Sequence, residues 1–218
     1  MKHLIKTKVT TLYNPEIYPS VVLDEATGKV YYNLFSGVRI QHIDGTLYTI
    51  DEWTAGGFTA DQANGIAVSD YRCAFVMAVQ PLSTKMIWCT DTQNAVPGLP
   101  LLDTTEAKKD YNGVDNTRKM LAVDTSGAAY GCANYVFPNG KKGYLPAAGE
   151  CNMTAFWRTS IQNAITLLGG TVAWTSTSWT STQADTWCAY EKGGTNINVS
   201  SSNGNKNGPE YVWPFTTL

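Results

Sequence analysis

Apolar residues recur at two different spacings along this chain, and the switches between them mark out the elements. In the first fifty residues the spacing is that of strands. Val21, Val22 and Leu23, then Val30, Tyr31 and Tyr32, flank a polar stretch at 25–28 and predict a hairpin over residues 20–33. The runs 38–43 and 47–50 flank Asp44 and Gly45 and predict a second hairpin. Thr59 and Gln62 have capping-box spacing, so a short helix is expected from Ala60 to Asn64 or Gly65. The apolar runs 65–68 and 73–79, bounded by turn residues, predict a buried strand, and Trp88–Cys89 a further short one. Asp103 and Glu106 repeat the capping-box spacing and predict a helix over 106–111, followed by helical pieces over 116–123 and 128–135.

The strongest helical period covers residues 150–168. Met153, Phe156, Trp157, Ile161, Ala164, Ile165 and Leu168 recur at three- and four-residue spacings and predict one continuous helix with a broad apolar face, stopped by Gly169. Strands are expected near 173–175, 178–182 and 186–190, then a loop of Gly, Asn and Ser, then a closing strand at 211–215. Helices in the middle and short antiparallel strands at both ends indicate an α+β fold.

Composition changes the picture at the C-terminal end. Between Thr171 and Asn207, 18 of 37 residues are Ser, Thr or Asn and only Asp185, Glu191, Lys192 and Lys206 are charged. Polar tracts of this kind often fail to fold, but Trp174, Trp179 and Trp187 fall within them and argue for an ordered segment. Rigid aromatics framed by small neutral polar groups are the chemistry of antibody paratopes.

The remaining composition excludes function classes. A net charge of −2 with scattered basic residues does not supply the clustered cations a nucleic-acid surface needs. No run of 18 apolar residues occurs, so no membrane insertion is expected, and the first twenty residues contain no apolar stretch of signal-peptide length. The five cysteines show no zinc-site spacing and read as reduced, mostly buried thiols. With His3 and His42 as the only histidines, one near the N-terminus and one beside a turn, no nucleophile–base pair is persuasive, and no catalytic residue is assigned. The pairs Asp24–Glu25 and Asp51–Glu52 read as solvated turn or strand-end carboxylates. Asp110, Asn112, Asp115 and Asn116 could ligate calcium, or could cap helices and turns; their spacing is not that of an EF-hand loop.

Several ordered motifs then coincide with a known pattern. GYLPAAGE (143–150), LLGG (167–170), SWTSTQ (178–183), Trp187, and YVWPF (211–215) occur in an order that resembles the C-type-lectin-fold variable proteins of diversity-generating retroelements, of the gut Bacteroides-phage-like kind. The segments 53–70, 110–117 and 128–135 resemble preceding parts of the same domain. The resemblance implies a C-type lectin fold of the formylglycine-generating-enzyme type over residues 47–218, with a variable region at about 171–213. The N-terminal β segment, 1–46, would serve attachment or oligomerisation.

In that family adenine-directed mutagenesis rewrites Asn codons to give Asn, Ser, Thr, Tyr, Asp, Gly and Ala on a rigid scaffold. Trp cannot be reached from such a codon, so Trp179 and Trp187, with Lys206, are expected to be framework. The ligand face is expected from Trp174, Ser176, Ser178, Asp185, Tyr190, Asn196, Asn198, Ser200, Ser202, Asn203 and Asn205, with Trp174 open between core and exposed anchor. Ser178 stands where the pattern commonly has Tyr, and Trp213 where it has Arg. The resemblance implies a non-enzymatic receptor-binding protein without metal or cofactor, carried on a phage tail and contacting a bacterial cell-surface protein or glycan. Other virion proteins and a homo-oligomer such as a trimer are the further partners it implies. A virion decoration protein and a bacterial surface adhesin are the alternatives.

Overall fold

The computed structural model describes residues 21–24, 29–32, 35–70, 73–194, 198–200 and 205–218. Both predicted hairpins form. Strands β1 (Val21–Asp24) and β2 (Lys29–Tyr32) pair with Val21 opposite Tyr32 and Asp24 opposite Lys29. Strands β3 (Ser36–His42) and β4 (Leu47–Tyr48) turn through Gly45 at φ 90°, where a Cβ would be strained. The predicted extension of β4 to residue 50 is replaced by helix α1 (Ile50–Ala55), because Thr49 accepts from Glu52 N–H while the Glu52 carboxylate accepts from Thr49 N–H.

A 3-10 turn at Ala60–Gln62 leads into β5 (Ala63–Asp70), which is buried along nearly its whole length, and β6 (Ala74–Met77) follows. Together with the C-terminal strand these make a five-stranded antiparallel sheet in the order β10-β6-β5-β3-β4, with β10 at Phe215–Thr217. Residue 46 lies in the β3–β4 turn, so a boundary there cuts through this sheet. Close approach of strands needs Gly65, where a Cβ would lie 2.5 Å from the Met77 carbonyl oxygen.

The middle of the chain is helical. Asp103 caps α2 (Thr104–Ala107) by accepting from Thr105 and Glu106 N–H, so the helix predicted over 106–111 begins directly after Asp103 and ends at Ala107. Helices α3 (Gly113–Leu121) and α4 (Ala128–Asn134) follow. Trp88–Cys89 forms no strand, although Trp88 N–H donates to the Lys206 carbonyl at 2.9 Å.

The expected long helix is broken into α5 (Ala148–Met153), a 3-10 turn (Thr154–Trp157) and α6 (Arg158–Leu167). Thr154 causes the break: its hydroxyl donates to the Cys151 carbonyl at 2.6 Å and accepts from the Trp174 indole N–H at 3.1 Å. The turn rotates the apolar face. Met153, Ile161, Ala164, Ile165 and Leu168 remain in the core against the five-stranded sheet, Trp157 is half-buried, and Phe156 is 89% exposed.

Beyond Gly169, at φ 78°, residues 173–175 form a turn rather than a strand. A three-stranded antiparallel sheet then runs β7 (Ser178–Gln183), β8 (Ala189–Gly193) and β9 (Asn198–Ser200). Its β8 begins three residues later than expected, and β9 occupies part of the expected loop. The extended segment before β10 ties the two sheets together: Trp179 N–H donates to Tyr211 O at 3.0 Å, and Ala78 and Leu82 N–H donate to Pro214 and Val212 O at 2.9 Å. The architecture is α+β with antiparallel sheets, as the sequence implied.

Candidate ligand-binding face

Strand β7 is rich in hydroxyls and yet entirely buried, so its polar groups must find partners inside. Trp88 donates its indole N–H to the Thr180 carbonyl at 2.7 Å, and the Thr180 hydroxyl donates to the Tyr190 carbonyl at 2.8 Å. The Trp179 indole N–H donates to the Met86 carbonyl at 2.9 Å. The Thr182 hydroxyl donates to Asp110 at 2.6 Å and accepts from Ala148 N–H at 2.9 Å. Among the described residues, buried side-chain atoms left without a hydrogen-bond partner are Ser181 Oγ and Gln183 Nε2, both on this strand.

Beneath β7, Asp110 also accepts from Asn116 at 2.8 Å and from the backbone N–H of Asn112 at 3.0 Å. These donors, together with Thr182, make it a hydrogen-bond hub rather than an open ligand, and Asp115 pairs on the surface with Arg118 and Lys119. Among the described residues no group of three His, Cys, Asp or Glu is placed to hold a metal ion. Glu150 is buried beside it, accepting from Tyr144 O–H at 2.9 Å and Ala147 N–H at 2.6 Å. Burial pushes the Glu150 carboxyl up to about 8, with the Asp110 charge adding to it and the two donors opposing. Burial likewise lifts the Cys132 thiol and pushes Cys151 up to about 12, so both remain protonated, inert core groups.

Two lysines close the ends of this layer from inside. Lys192 on β8 is fully buried; its ammonium donates to the carbonyls of Trp174 and of Ser176, the latter at 2.9 Å, and lies 3.7 Å from the Trp174 ring centroid and 5.4 Å from that of Trp213. Burial lowers its pKa to about 7. Trp213, standing where the resemblance has Arg, donates its indole N–H to Ala78 O at 2.7 Å and meets Trp174 edge-on at 4.8 Å.

Lys206 is also buried, and burial lowers its pKa. Its ammonium donates to Asn94 O at 2.9 Å, Thr186 O at 2.8 Å and Gln183 Oε1 at 3.0 Å, beneath the Trp88 ring at 4.9 Å. Gln183 Oε1 further accepts from Val96 N–H at 2.8 Å. One ammonium therefore gathers three loops, 91–96, 184–188 and 205–210.

Trp187 lies on the central loop and is 54% exposed. Its N–H donates to Asp185 Oδ1 at 2.7 Å, its carbonyl accepts from Lys206 N–H at 3.2 Å, and Cys188 bridges to Asn205. On the loops that Lys206 joins, Asp91, Gln93, Asn94, Asp185, Asn205 and Asn207 are exposed.

This placement sorts the sequence-predicted residues. Asp185 and Asn205 reach the face beside Trp187. Trp174, Ser178 and Tyr190 do not: each is buried, Trp174 against Trp213 and Lys192, Ser178 within the all-buried β7, and Tyr190 with its hydroxyl donating to Leu102 O at 2.9 Å. Ser176 is half-buried at the Lys192 end, and Ser200 is half-buried on β9. Asn198 lies on β9, whereas Asn196, Ser202 and Asn203 lie outside the described residues. Trp179 is core as expected, but Trp187 is not. Asp91, Gln93 and Asn94 escaped sequence reasoning; the turn-forming Asp91 carboxylate, which accepts from Gln93 and Asn94 N–H, is a local signal with no hint of the surface it joins.

No family model and no curated protein matches the chain. Among solved structures, a fimbrial protein from Bacteroides ovatus is similar in fold, with a TM-score of 0.57 at 14% sequence identity. The match covers 85% of this chain and 49% of that one, so the chain spans about half its length.

Proposed function

We propose that this chain is a non-enzymatic receptor-binding protein with a C-type lectin fold, displaying a face rewritten by a diversity-generating retroelement. Its place would be a phage tail, and its ligand a molecule of the bacterial surface. The observation that carries the reading is the Lys206 clamp: an exposed indole and six exposed polar residues stand on loops fixed from inside by a buried ammonium. Side chains on such loops can change without disturbing the core, which suits binding sites built on a rigid scaffold. Trp187, unreachable from an Asn codon, then serves as a constant anchor beside the changeable positions 185, 205 and 207, with Asp91, Gln93 and Asn94, outside 171–213, constant.

Deep sequencing of the gene's 3′ end across a source population tests this. Substitutions should concentrate at Asn codons between Thr171 and Asn207, sparing Trp179, Trp187 and Lys206. Low, uniform variation would remove the retroelement and leave a fixed receptor-binding or structural protein.

A second reading, a bacterial surface adhesin, is favoured by the fold likeness to a fimbrial protein. Antibody labelling separates the two: label on purified virions supports the tail protein, label on intact cells the adhesin.

A further inference from the structure

Of the seven tryptophans, Trp53, Trp88, Trp174, Trp179 and Trp213 are buried and Trp157 is half-buried, which leaves Trp187 alone in presenting most of its ring to solvent. Its backbone is fixed on both sides, by its N–H on Asp185 Oδ1 and its carbonyl on Lys206 N–H, which sets the indole on a held loop. We infer that the Trp187 face binds a neutral glycan, with the C–H face of a pyranose ring stacked on the indole. The inference rests on reading the chain as a receptor-binding protein and names the class of its ligand.

The rim chemistry selects this class. The amides of Gln93, Asn94, Asn205 and Asn207 can donate to and accept from vicinal hydroxyls, and the Asp91 and Asp185 carboxylates accept from them. Within the three loops, 91–96, 184–188 and 205–210, the one basic residue is Lys206, and its ammonium is sealed inside on three oxygens. A phosphate, sulfate or sialic acid carboxylate would meet Asp91 and Asp185, while Lys85, which borders loop 205–210, is paired with Glu210 at 3.5 Å; a neutral sugar does not suffer that repulsion. The same loops expose no large apolar side chain except Trp187. A protein interface would ordinarily centre on a contiguous apolar patch of several such anchors, whereas one exposed indole on loops whose other exposed side chains are amides and carboxylates matches a sugar, apolar on one face and hydroxylated at its edge. Fixing the loop beforehand lowers the entropy lost on binding.

The test applies the full chain, made tetravalent on streptavidin to amplify weak contacts, to a printed array of neutral and acidic oligosaccharides. Trp187→Ala and Trp187→Phe are run beside it, and the same proteins are applied to whole bacteria before and after periodate oxidation. Unchanged near-UV circular dichroism shows that the variants fold. Binding should favour neutral glycans, fall by about tenfold or more in W187A, fall less in W187F, and disappear from periodate-treated cells. The preferred oligosaccharide should also move tryptophan emission to shorter wavelength and shield it from acrylamide. Binding restricted to sulfated or sialylated glycans overturns the inference. So does cell binding that depends on Trp187 but survives periodate and is lost to protease; that result leaves the receptor face standing with a protein partner. Cell binding that W187A leaves unchanged overturns the inference and leaves a receptor-binding protein that uses another face; no binding to array or cells overturns both.

Discussion

A lysine ammonium is ordinarily hydrated, and removing it from water is expensive unless its charge and protons are met. Lys206 meets that cost with three oxygens and a ring face: the carbonyls of Asn94 and Thr186 come from two loops of the face, and Gln183 Oε1 from the buried strand β7 beneath them. Lys206→Met should therefore strand buried acceptors and cost about 1–3 kcal/mol, read as a lower urea midpoint with unchanged m-value, and should weaken ligand binding although the side chain never reaches the ligand. A second consequence concerns pH. Glu150 is raised from 4.5 to about 8 in the folded state, so between those values the unfolded chain releases a proton that the folded chain keeps, and stability falls as pH rises. Lys192 is lowered from 10.5 to about 7, so its stabilisation is complete above the unfolded value and is lost as pH falls toward the folded one. Glu150→Gln abolishes the first limb. Its stability relative to the parent should grow from pH 5 to pH 8, by at most about 1.4 kcal/mol per unit, in urea titrations at each pH.

Elements were legible in the sequence wherever their causes were local. The two N-terminal hairpins follow from turn residues a few positions away, and α4 and β7 stand close to where their patterns put them. The break between α5 and α6 was not legible, because its cause is Thr154 bonding back to Cys151 while receiving an indole from Trp174, twenty positions on. Strand β9 was equally hidden: the alternation of Asn198, Val199 and Ser200 is too short to stand out in a polar tract, and pairing with Gly193, Lys192 and Glu191 makes them a strand. Thr154→Val should remove both of its bonds and destabilise by about 1–3 kcal/mol, with a change in near-UV circular dichroism as Trp174 loses its acceptor. Gly65→Ala forces a methyl against the Met77 carbonyl and should open the β5–β6 pairing, costing about 1–3 kcal/mol and raising amide exchange at Ile66 through Val68.

Across the whole molecule, stability and recognition occupy different side chains. The three apolar clusters and the hydroxyl-lined β7 hold the fold, whereas Asp185, Asn205 and Asn207 are exposed. Exchanging Asn205 and Asn207 for Tyr and Thr should alter the ligand preference while moving stability by no more than about 0.5 kcal/mol per site, as thermal melts beside array binding would record; Asp185 is kept, because its carboxylate accepts from Trp187 and Cys188 N–H. Half of the candidate face could be read from composition alone, since Asp185 and Asn205 belong to the Ser/Thr/Asn-rich tract. The other half, Asp91 to Asn94, could not, because nothing along the chain announces that a lysine over a hundred positions later will reach it. That lysine gives the loops a counter-charge tethered by covalent bonds, which no chelator can strip and no dilution can wash away. Dialysis against EDTA should therefore leave the emission of Trp187 and the geometry of its loops unaltered, and the face should work equally well in calcium-poor and calcium-rich surroundings.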